Sequence, residues 1–517
     1  MTTTLSKKHA FFILFSIVFM AAAVRLWGIA YDLPYGFHPD EQYYLNTSQT
    51  IFKSGDPNPH FFNYPSLPIY INTAVYIPYY LIGKLAGAFA TPADVQPMQT
   101  ISLGVNKFPD PTVVLMGRLI TVLFGVGTVI IVYHIGKKIT GETAVGLTSA
   151  FITAIAPANV AHSRYMTPDT FATFWATVTF LAIVYIARQG KTRHYIWAGI
   201  AAGFAISSKY NSGIIILPLI LAHFFRYGRQ GIKNGRLYAA LLFAGLAFIT
   251  TTPFAILDYS TFIKHLTFES QHYSLAGHEG MEGNTLKWYL RYMWQTAGII
   301  YLFAGIEILR GMRIGNRNLF LLAAFPVAYF AFIANMVVRN ERTFLLVTPF
   351  LYLLATSFIV YLLKKSMFPA ETNRLFFTAV ITGILFACLI SPALNTIKTT
   401  QRLVTPNSRK TAVTWITTNI PPGSNIAVEA YAPYIDPTQY HVTGMLRLID
   451  QDIQWYTAQK IQYLIFGEAM FGRFYAEPTQ YSIQISRYEA LLQKGEFVAI
   501  FNDGGYQVRI YKIRQAK

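Results

Sequence analysis

The sequence predicts an all-α polytopic transmembrane bundle with a large first extracytoplasmic loop and a small C-terminal α/β domain. The 517-residue chain is 53% hydrophobic and only 13% charged, whereas a soluble domain has about 25% charged residues. Apolar runs long enough to cross a hydrocarbon core of about 30 Å recur through the first four-fifths of the chain. From about residue 397 the composition changes to that of a soluble domain.

About eleven apolar runs are interpreted as membrane-spanning helices, because only helices satisfy so many backbone polar groups within lipid. The first run lacks a small-residue cleavage site, which indicates a retained helix and not a signal peptide. An odd number of spans places the two ends of the chain on opposite sides of the membrane. The predicted spans lie at about 11–31, 112–135, 143–162, 169–187, 194–208, 211–226, 236–257, 291–310, 318–338, 343–363 and 374–396.

The apolar run at 66–90 decides the topology. If this run does not cross the membrane, the basic loops lie on the same side as Lys7 and Lys8, as the positive-inside rule requires. The run is therefore interpreted as a helix or helix pair at the outer interface, where its tyrosines are favourable. The basic loop residues are Lys137, Lys138, Arg188, Lys191, Arg193, Arg226, Arg229, Lys233, Arg236, Arg310, Arg313, Arg317, Lys364, Lys365 and Arg374.

This topology predicts a plasma (inner) membrane protein with a cytoplasmic N-terminus and an extracytoplasmic C-terminal domain. The domains are predicted at 1–396 and 397–517, and the second has a helix at Thr411–Asn419. The net charge of +18 does not indicate nucleic acid, because the basic residues lie in short clusters between apolar runs. The only cysteine is Cys388, so no intrachain disulfide is possible. Strands are predicted at Ile426–Ala430, Tyr463–Phe466, Phe497–Phe501 and Tyr506–Ile513.

Unusual ionisable residues crowd at the predicted outer ends of the helices. Asp40 and Glu41 follow His38-Pro39 at the start of a helical stretch. They either favour the helix dipole or supply a carboxylate base just above the membrane. Asp169, after Thr167-Pro168, has the same two interpretations.

Two cations, Lys209 and Arg342, lie next to apolar spans, where a charge is costly unless it is paired or reaches water. They either extend to the interface or bind an anion. A histidine-rich loop could ligate a metal, but no spacing in it matches a known metal motif, so no cofactor is expected, although a divalent metal is possible. Its residues are His265, His272, His278, Glu279 and Glu282.

Together these stretches resemble the clan C membrane glycosyltransferases, in the branch of protein O-mannosyltransferases and lipid A aminoarabinose transferases. The architecture is similar over nearly the whole chain, while the residue resemblance is confined to short stretches. The sequence lacks a clear match to the glycan-reading domain of protein mannosyltransferases. The stretches are Asp40-Glu41, Asn63-Tyr64-Pro65, Arg164–Asp169, Ala205–Gly213, Glu341–Pro349 and Trp415–Ser424.

The resemblance implies transfer of a sugar from a polyprenyl phosphate to an acceptor hydroxyl, with inversion at the anomeric carbon. A lipid phosphate leaves as a stable anion, so one carboxylate base suffices, whereas glycoside hydrolysis needs two carboxylates. The acceptor can be a lipid, a polysaccharide or a protein. Membrane lipids are expected as further partners, and nucleic acid is not expected as a partner. The resemblance implies Asp40 as the base, Glu41 as an acceptor-orienting residue, Lys209, Arg342 and Arg164 as donor-phosphate ligands, and Asp169, His38 and Tyr64 as sugar or acceptor ligands. Asp169 is expected to hold a sugar hydroxyl or to pair with Arg164.

Three alternatives stay open. A transporter or lipid flippase would also be polytopic and basic, but it should place ionisable groups near mid-span. A receptor-like protein whose outer tail is the working part leaves the Asp40-Glu41 loop unexplained. A metal-dependent relative of the oligosaccharyltransferases would use His38, Asp40 and Glu41 as ligands.

The predicted topology can be tested by cysteine labelling in a Cys388→Ser background. We expect Asp56→Cys, in the first loop, to react with a membrane-impermeant maleimide in intact cells. Arg313→Cys, in a basic loop, should react only after the membrane is permeabilised. Labelling of Asp56→Cys only after permeabilisation would contradict the topology and the outer site that depends on it.

Overall fold

The computed structural model describes residues 6–281, 283–364 and 371–514. The fold is mostly helical, 69% in all, with a small C-terminal β-sheet region. Glu282 of the histidine-rich loop and Lys365 of the basic loops lie outside the described residues.

A helix lies at each of the predicted spans. Within the described residues, five helices are long and apolar enough to cross a membrane, or six if the bent pair Tyr210–Lys233 and Gly235–Thr251 counts as one span. The predicted number of about eleven spans therefore stays a prediction. The helices are α1 Lys7–Leu26, α2 Glu41–Ser54, α3 Leu67–Leu85, α4 Thr112–Thr140, α5 Thr143–Ile155, α6 Pro157–His162, α7 Pro168–Gln189, α8 Thr192–Ser208, α9 Ile216–Tyr227, α10 Gly235–Thr251, α11 Phe254–Leu257, α12 Tyr259–Gln271, α13 Thr285–Arg313, α14 Arg317–Ala334, α15 Glu341–Leu345, α16 Thr348–Lys364 and α17 Glu371–Val404.

Small residues let α8 and α10 approach to backbone contact. A Cβ atom added at Gly199 would lie 2.2 Å from the carbonyl oxygen of Ala240, and one at Gly203 would lie 2.5 Å from that of Ala244. Two glycines four residues apart form one face of a helix, which is the small-residue pattern of close packing in membranes. This contact holds the end of α8, and therefore Lys209 after it, in a fixed position.

The first loop, between α1 and α4, contains a small antiparallel sheet that the sequence did not predict. Its strands are β1 Tyr35–Gly36, β2 Gln99–Ser102 and β3 Val105–Lys107, in the order β1-β3-β2. Gly36 pairs with Asn106, and the Asn106 amide donates to the carbonyl of Gly36 and to Gln42 in α2. The sheet therefore fixes the chain just before Asp40.

The C-terminal region has a mixed five-stranded sheet in the order β5-β4-β6-β8-β7. The three neighbouring strands β5, β4 and β6 run parallel, and β8 is antiparallel to β6 and β7. The four predicted strands are present, and β5 was missed. The elements are α18 Ser408–Asn419, β4 Asn425–Glu429, β5 His441–Met445, α19 Ile453–Ala458, β6 Tyr463–Gly467, α20 Glu468–Ala476, α21 Ser482–Lys494, β7 Gly495–Phe501 and β8 Val508–Ile513.

The C-terminal domain packs on the first loop. The hydroxyl of Ser102 donates to the carbonyl of Met445 over 2.9 Å, and a Cβ added at Gly444 would lie 2.1 Å from the carbonyl oxygen of Ile101. Strand β2 thus covers the outer edge of β5. The Arg409 guanidinium lies 3.7 Å from the ring centre of Phe37, so α18 also contacts this loop.

The α8–α10 contact predicts an effect of overpacking. Gly203→Leu should lower the free energy of unfolding by about 1–3 kcal/mol, because its side chain would meet the α10 backbone. The thermal midpoint in detergent measures this loss. Gly245→Leu is the matched control, since nothing lies within 4 Å of a Cβ at Gly245. Equal midpoints for the two variants would contradict the observed packing.

Candidate active site

Asp40 forms an ion pair with Arg342. It occupies the N-cap position of α2, yet its side chain makes no capping hydrogen bond. The Asp40 side chain is 11% exposed and that of Arg342 is 23% exposed. Helix capping therefore does not explain this carboxylate, which instead faces a cation from the other half of the chain.

A local cap positions Arg342. The Asn340 side chain accepts hydrogen bonds from the backbone N–H of Thr343 at 2.8 Å and from its hydroxyl at 2.7 Å. These bonds start the short helix α15, which carries Arg342 in its first turn. Burial lowers the pKa of Arg342 to about 10, while the phenol of Tyr431 acts in the opposite direction. The guanidinium is therefore charged at neutral pH.

Asp169 pairs with Lys209, and the two charged atoms are 2.6 Å apart. Both side chains are nearly buried, 2% exposed for Asp169 and 11% for Lys209. Asp169 lies in the first turn of α7, and Lys209 follows α8 in extended conformation. The predicted pairing of Asp169 with Arg164 is wrong, because the lysine that ends α8 approaches the carboxylate instead.

Glu41 is buried and fully hydrogen-bonded. Arg118 in α4 donates to its two oxygens at 2.9 and 2.8 Å, and the Tyr31 hydroxyl and Met166 N–H also donate to it. Burial alone would raise the pKa of Glu41, but the charge and hydrogen bonds of Arg118 lower it. In this arrangement Glu41 fastens α2 to α4, and its proposed role with the acceptor stays a prediction.

His38 supports the turn that leads to Asp40. Its Nδ1 accepts a hydrogen bond from the backbone N–H of Asp40 at 3.3 Å, and its ring lies 4.3 Å from that of Tyr165. Burial lowers the pKa of His38 to about 4. A neutral imidazole orients this loop but gives no charge to a phosphate, and its role in binding sugar or acceptor stays a prediction.

Arg164 lies among helix ends. Among the described residues it forms no ion pair with Asp169 or Asp40, which pair with Lys209 and Arg342. Its guanidinium donates to the backbone carbonyls of Val24 and Arg25 and, over 2.7 Å, to the Thr400 hydroxyl. These contacts join α1 to α17. Its role as a phosphate ligand stays a prediction, and among the described residues its guanidinium hydrogen-bonds to α1 and α17.

A cavity of about 520 Å³ reaches Lys209 of the Asp169–Lys209 pair. Lys209 and Tyr64 line it, as does Thr343, the neighbour of Arg342. The wall is largely apolar and comes from the first loop, the turn after α8, α12 with the turn that follows it, and α14 with the segment after it. The lining residues are Asn63, Tyr64, Pro65, Lys209, Tyr210, Asn211, Gly213, Ile214, Leu266, Glu269, Ser270, Tyr273, Ser274, Phe332, Ile333, Met336, Val338 and Thr343.

Some buried polar atoms on α2 and at the start of α7 have no protein partner among the described residues. Oδ2 of Asp169 and the hydroxyls of Tyr44 and Thr167 are buried without a hydrogen-bond partner among the described residues. Tyr44 connects α2 to the cavity, because its ring lies 5.4 Å from that of Tyr64. Buried polar atoms are normally satisfied, so the site has free hydrogen-bonding capacity for a ligand that carries hydroxyls.

Several site residues were missed by sequence reasoning. Arg118 had a usable signal, since an arginine inside a predicted span needs a partner. Glu269 had none, although it accepts a hydrogen bond from Asn63 at 2.6 Å and burial raises its pKa. Its position in the cavity depends on how the loop after α11 folds back onto the first loop.

No group of three or more metal-ligating side chains occurs among the described residues. His272 and His278 do approach each other, with their Nε2 atoms 3.1 Å apart. Asp40 and Glu41, suggested as metal ligands in one alternative, face Arg342 and Arg118. The expectation that no metal is needed stays a prediction.

Residues 86–268 match the family model of the dolichyl-phosphate-mannose-protein mannosyltransferases. This segment contains Arg164, Asp169 and Lys209 and excludes Asp40 and Arg342. A comparison with curated proteins finds no match.

The fold is similar to that of solved membrane glycosyltransferases. The apo oligosaccharyltransferase of Archaeoglobus fulgidus has a TM-score of 0.55 at 12% identity, over 97% of this chain and 74% of that chain. ArnT from Cupriavidus metallidurans bound to undecaprenyl phosphate has a TM-score of 0.52 at 12% identity, over 98% of both chains. The A. fulgidus enzyme AglB in complex with an inhibitory peptide and a dolichol-phosphate has a TM-score of 0.51 at 14% identity, over 94% of this chain and 72% of that chain. The resemblance to clan C membrane glycosyltransferases is therefore confirmed.

The Glu41–Arg118 pair predicts a stability effect. Arg118→Met should lower the free energy of unfolding by about 3–5 kcal/mol, because it leaves the Glu41 carboxylate buried without its partner. The thermal midpoint of the purified protein measures the loss. Glu496→Gln, on the exposed part of β7, is the control and should leave the midpoint unchanged. A wild-type midpoint for Arg118→Met would show that the pair does not hold α2 in place.

Proposed function

We propose that the protein is an inverting glycosyltransferase that moves a sugar from a polyprenyl-phosphate donor to an acceptor hydroxyl. The observation that carries the proposal is the largely apolar cavity that is lined by Lys209 and by Thr343, the neighbour of Arg342. The family match and the shared fold support a glycosyltransferase. Two finer parts of the proposal go beyond this support: the donor is lipid-linked, and the transfer inverts the configuration at the anomeric carbon.

The cavity suits a lipid phosphate in shape and charge. Its apolar wall of α12 and α14 residues accepts prenyl units, whose burial is favourable by about 0.8 kcal/mol per CH₂. At its polar end, Lys209 supplies a fixed positive charge for the departing phosphate. Undecaprenyl phosphate and dolichol-phosphate are the molecules bound in two proteins of this fold, which supports the same chemical class here.

The Asp40–Arg342 and Asp169–Lys209 pairs have different roles in the proposed reaction. The acceptor oxygen attacks the anomeric carbon, its proton passes to the Asp40 carboxylate, and the bond from the anomeric carbon to the phosphate oxygen breaks. The electron pair of that bond leaves with the polyprenyl phosphate, whose new charge is stabilised by Lys209 and Arg342. The free oxygen of Asp169 and the hydroxyl of Tyr44 are available for sugar hydroxyls.

The predicted topology puts this reaction at the outer face of the inner membrane. A polyprenyl tail stays in the bilayer, and an acceptor hydroxyl arrives from water, so the site has to lie where the two meet. Lipid, polysaccharide and protein acceptors all carry the required hydroxyl.

Asp40→Asn tests the proposed base. We expect turnover to fall by at least about 100-fold, because the amide keeps the shape of the carboxylate but takes no proton. The measurement is release of polyprenyl phosphate from candidate donor lipids by the purified, lipid-reconstituted protein, together with formation of the glycosylated acceptor.

Asp503→Asn is the control, because Asp503 is an exposed carboxylate outside the site. Arg342→Lys should also reduce turnover, since a point charge replaces a forked donor. Near-normal turnover of Asp40→Asn would remove Asp40 from the mechanism. No donor cleavage by the wild-type protein with any donor-acceptor pair would favour a transporter or flippase.

A further inference from the structure

Another cavity, which we call the basic cavity, lies at the opposite end of α8 from Lys209. It has a volume of about 870 Å³ and is formed by the start of α8, the end of α9 and the start of α10. Thr192 at the start of α8 lines it, and Lys209 follows the last residue of that helix. At a rise of about 1.5 Å per residue, these two residues are about 25 Å apart, close to the thickness of a hydrocarbon core. The lining residues are Thr192, Tyr227, Gln230, Lys233, Asn234, Gly235, Arg236 and Ala239.

The chain around the basic cavity carries positive charge that no nearby carboxylate neutralises. Between Asp169 and Asp258 the sequence has no acidic residue, while seven Lys or Arg residues lie in or beside the α7–α8 and α9–α10 connections. Among the described residues, none of the seven forms an ion pair. The positive-inside rule accounts for basic residues in such loops, but not for the convergence of two of them on one cavity. The seven are Arg188, Lys191, Arg193, Arg226, Arg229, Lys233 and Arg236.

Arg236 is held in the wall of the basic cavity by neutral groups. Its Nε donates to the Thr192 hydroxyl over 3.2 Å, and its Nη1 donates to the Tyr227 hydroxyl over 2.7 Å. The Tyr227 hydroxyl in turn donates to the carbonyl of Gly190. These contacts orient the guanidinium without neutralising it, and they use two of its five N–H groups. Within the described ranges the rest of the fork is available to an anion, and such a fork suits a phosphate.

An apolar surface leads away from the basic cavity along α10. Leu242 and Leu246 follow Ala239 by three and seven residues, so they lie on the same face of the helix as this lining residue. They are 60% and 46% exposed. Trp197, in the second turn of α8, is 65% exposed, as is favourable for a tryptophan at a membrane interface. A ligand with an anionic head and apolar chains would use both surfaces, whereas a soluble anion would use only the cavity.

We propose that the basic cavity binds the phosphate headgroup of an anionic phospholipid, whose acyl chains lie along the exposed face of α10. In the predicted topology this is the cytoplasmic end of the bundle, where basic residues meet the anionic surface of the inner leaflet. Arg236 receives the phosphate with its forked donors, and Lys233 adds a second charge. The inference does not depend on the proposed glycosyl transfer.

Native mass spectrometry of the full-length protein in detergent tests the proposal, because it counts bound lipids and measures their affinity. The probes are phosphatidylglycerol, phosphatidylcholine as the lipid without net charge, and inorganic phosphate as a soluble competitor at constant ionic strength. The test variant is Lys233→Gln combined with Arg236→Gln. The matched control is Lys8→Gln combined with Arg313→Gln, which removes two exposed charges outside the basic cavity.

We expect the wild-type protein to bind phosphatidylglycerol more tightly than phosphatidylcholine and to keep it in the presence of millimolar inorganic phosphate. The test variant should bind phosphatidylglycerol at least about tenfold more weakly, since each basic residue near an anionic lipid surface contributes about fivefold in affinity. The matched control should bind it like the wild-type protein, because its lost charges are elsewhere.

Equal affinities of the wild-type protein for the two lipids would overturn the proposal. Equal losses in the test variant and the matched control would also overturn it, because they indicate a general attraction between charges. Displacement of phosphatidylglycerol by inorganic phosphate would assign the cavity to a soluble anion and not to a lipid.

Arg236 also joins α8 to α9, so the test variant could fail to fold. Lys233→Gln alone then decides, since Lys233 is exposed and forms no ion pair among the described residues. We expect about fivefold weaker binding of phosphatidylglycerol by this variant, and wild-type affinity would overturn the proposal. A loss of the proposed glycosyl transfer would leave this lipid site intact, and loss of the lipid site would leave the proposed transfer intact.

Discussion

A charge next to an apolar helix has to be paired, hydrogen-bonded or in reach of water, and this requirement organises one end of the bundle. Three carboxylate–cation pairs meet there, and they differ in exposure. Glu41 and Arg118 are 1% and 0% exposed, Asp169 and Lys209 are 2% and 11%, and Asp40 and Arg342 are 11% and 23%. The most buried pair holds the structure together, and the most accessible one is the best placed to meet a substrate.

The neighbouring residues Asp40 and Glu41 illustrate how one short segment serves both purposes. Glu41 points into the bundle, where four donors fix it, while Asp40 turns to Arg342. Since consecutive residues at the start of a helix point in different directions, anchoring one of them orients the other. A carboxylate held in this way has little conformational freedom left to lose when it binds a partner.

Much of the fold follows from the sequence, because long apolar runs and a change of composition are local signals. The helices at the predicted spans, the helix α18 and four of the five C-terminal strands were predicted in this way, whereas α12, α20 and α21 were not. The small sheet of the first loop was not, since its strands are only two to four residues long and depend on distant contacts. In the site, Asp40, Lys209, Arg342 and Asp169 were picked out individually, but which carboxylate meets which cation depends on helix packing. The pairing of Asp169 with Lys209 has no local pattern.

The contact of β2 with β5 limits how the protein can be divided. An edge strand exposes unpaired backbone groups and invites pairing with other chains. Here the first loop covers the β5 edge so closely that Gly444 has no room for a side chain. Separated from the membrane part, residues 397–517 would present that bare edge to solvent and would tend to self-associate. The first loop thus protects the β5 edge from pairing with other chains.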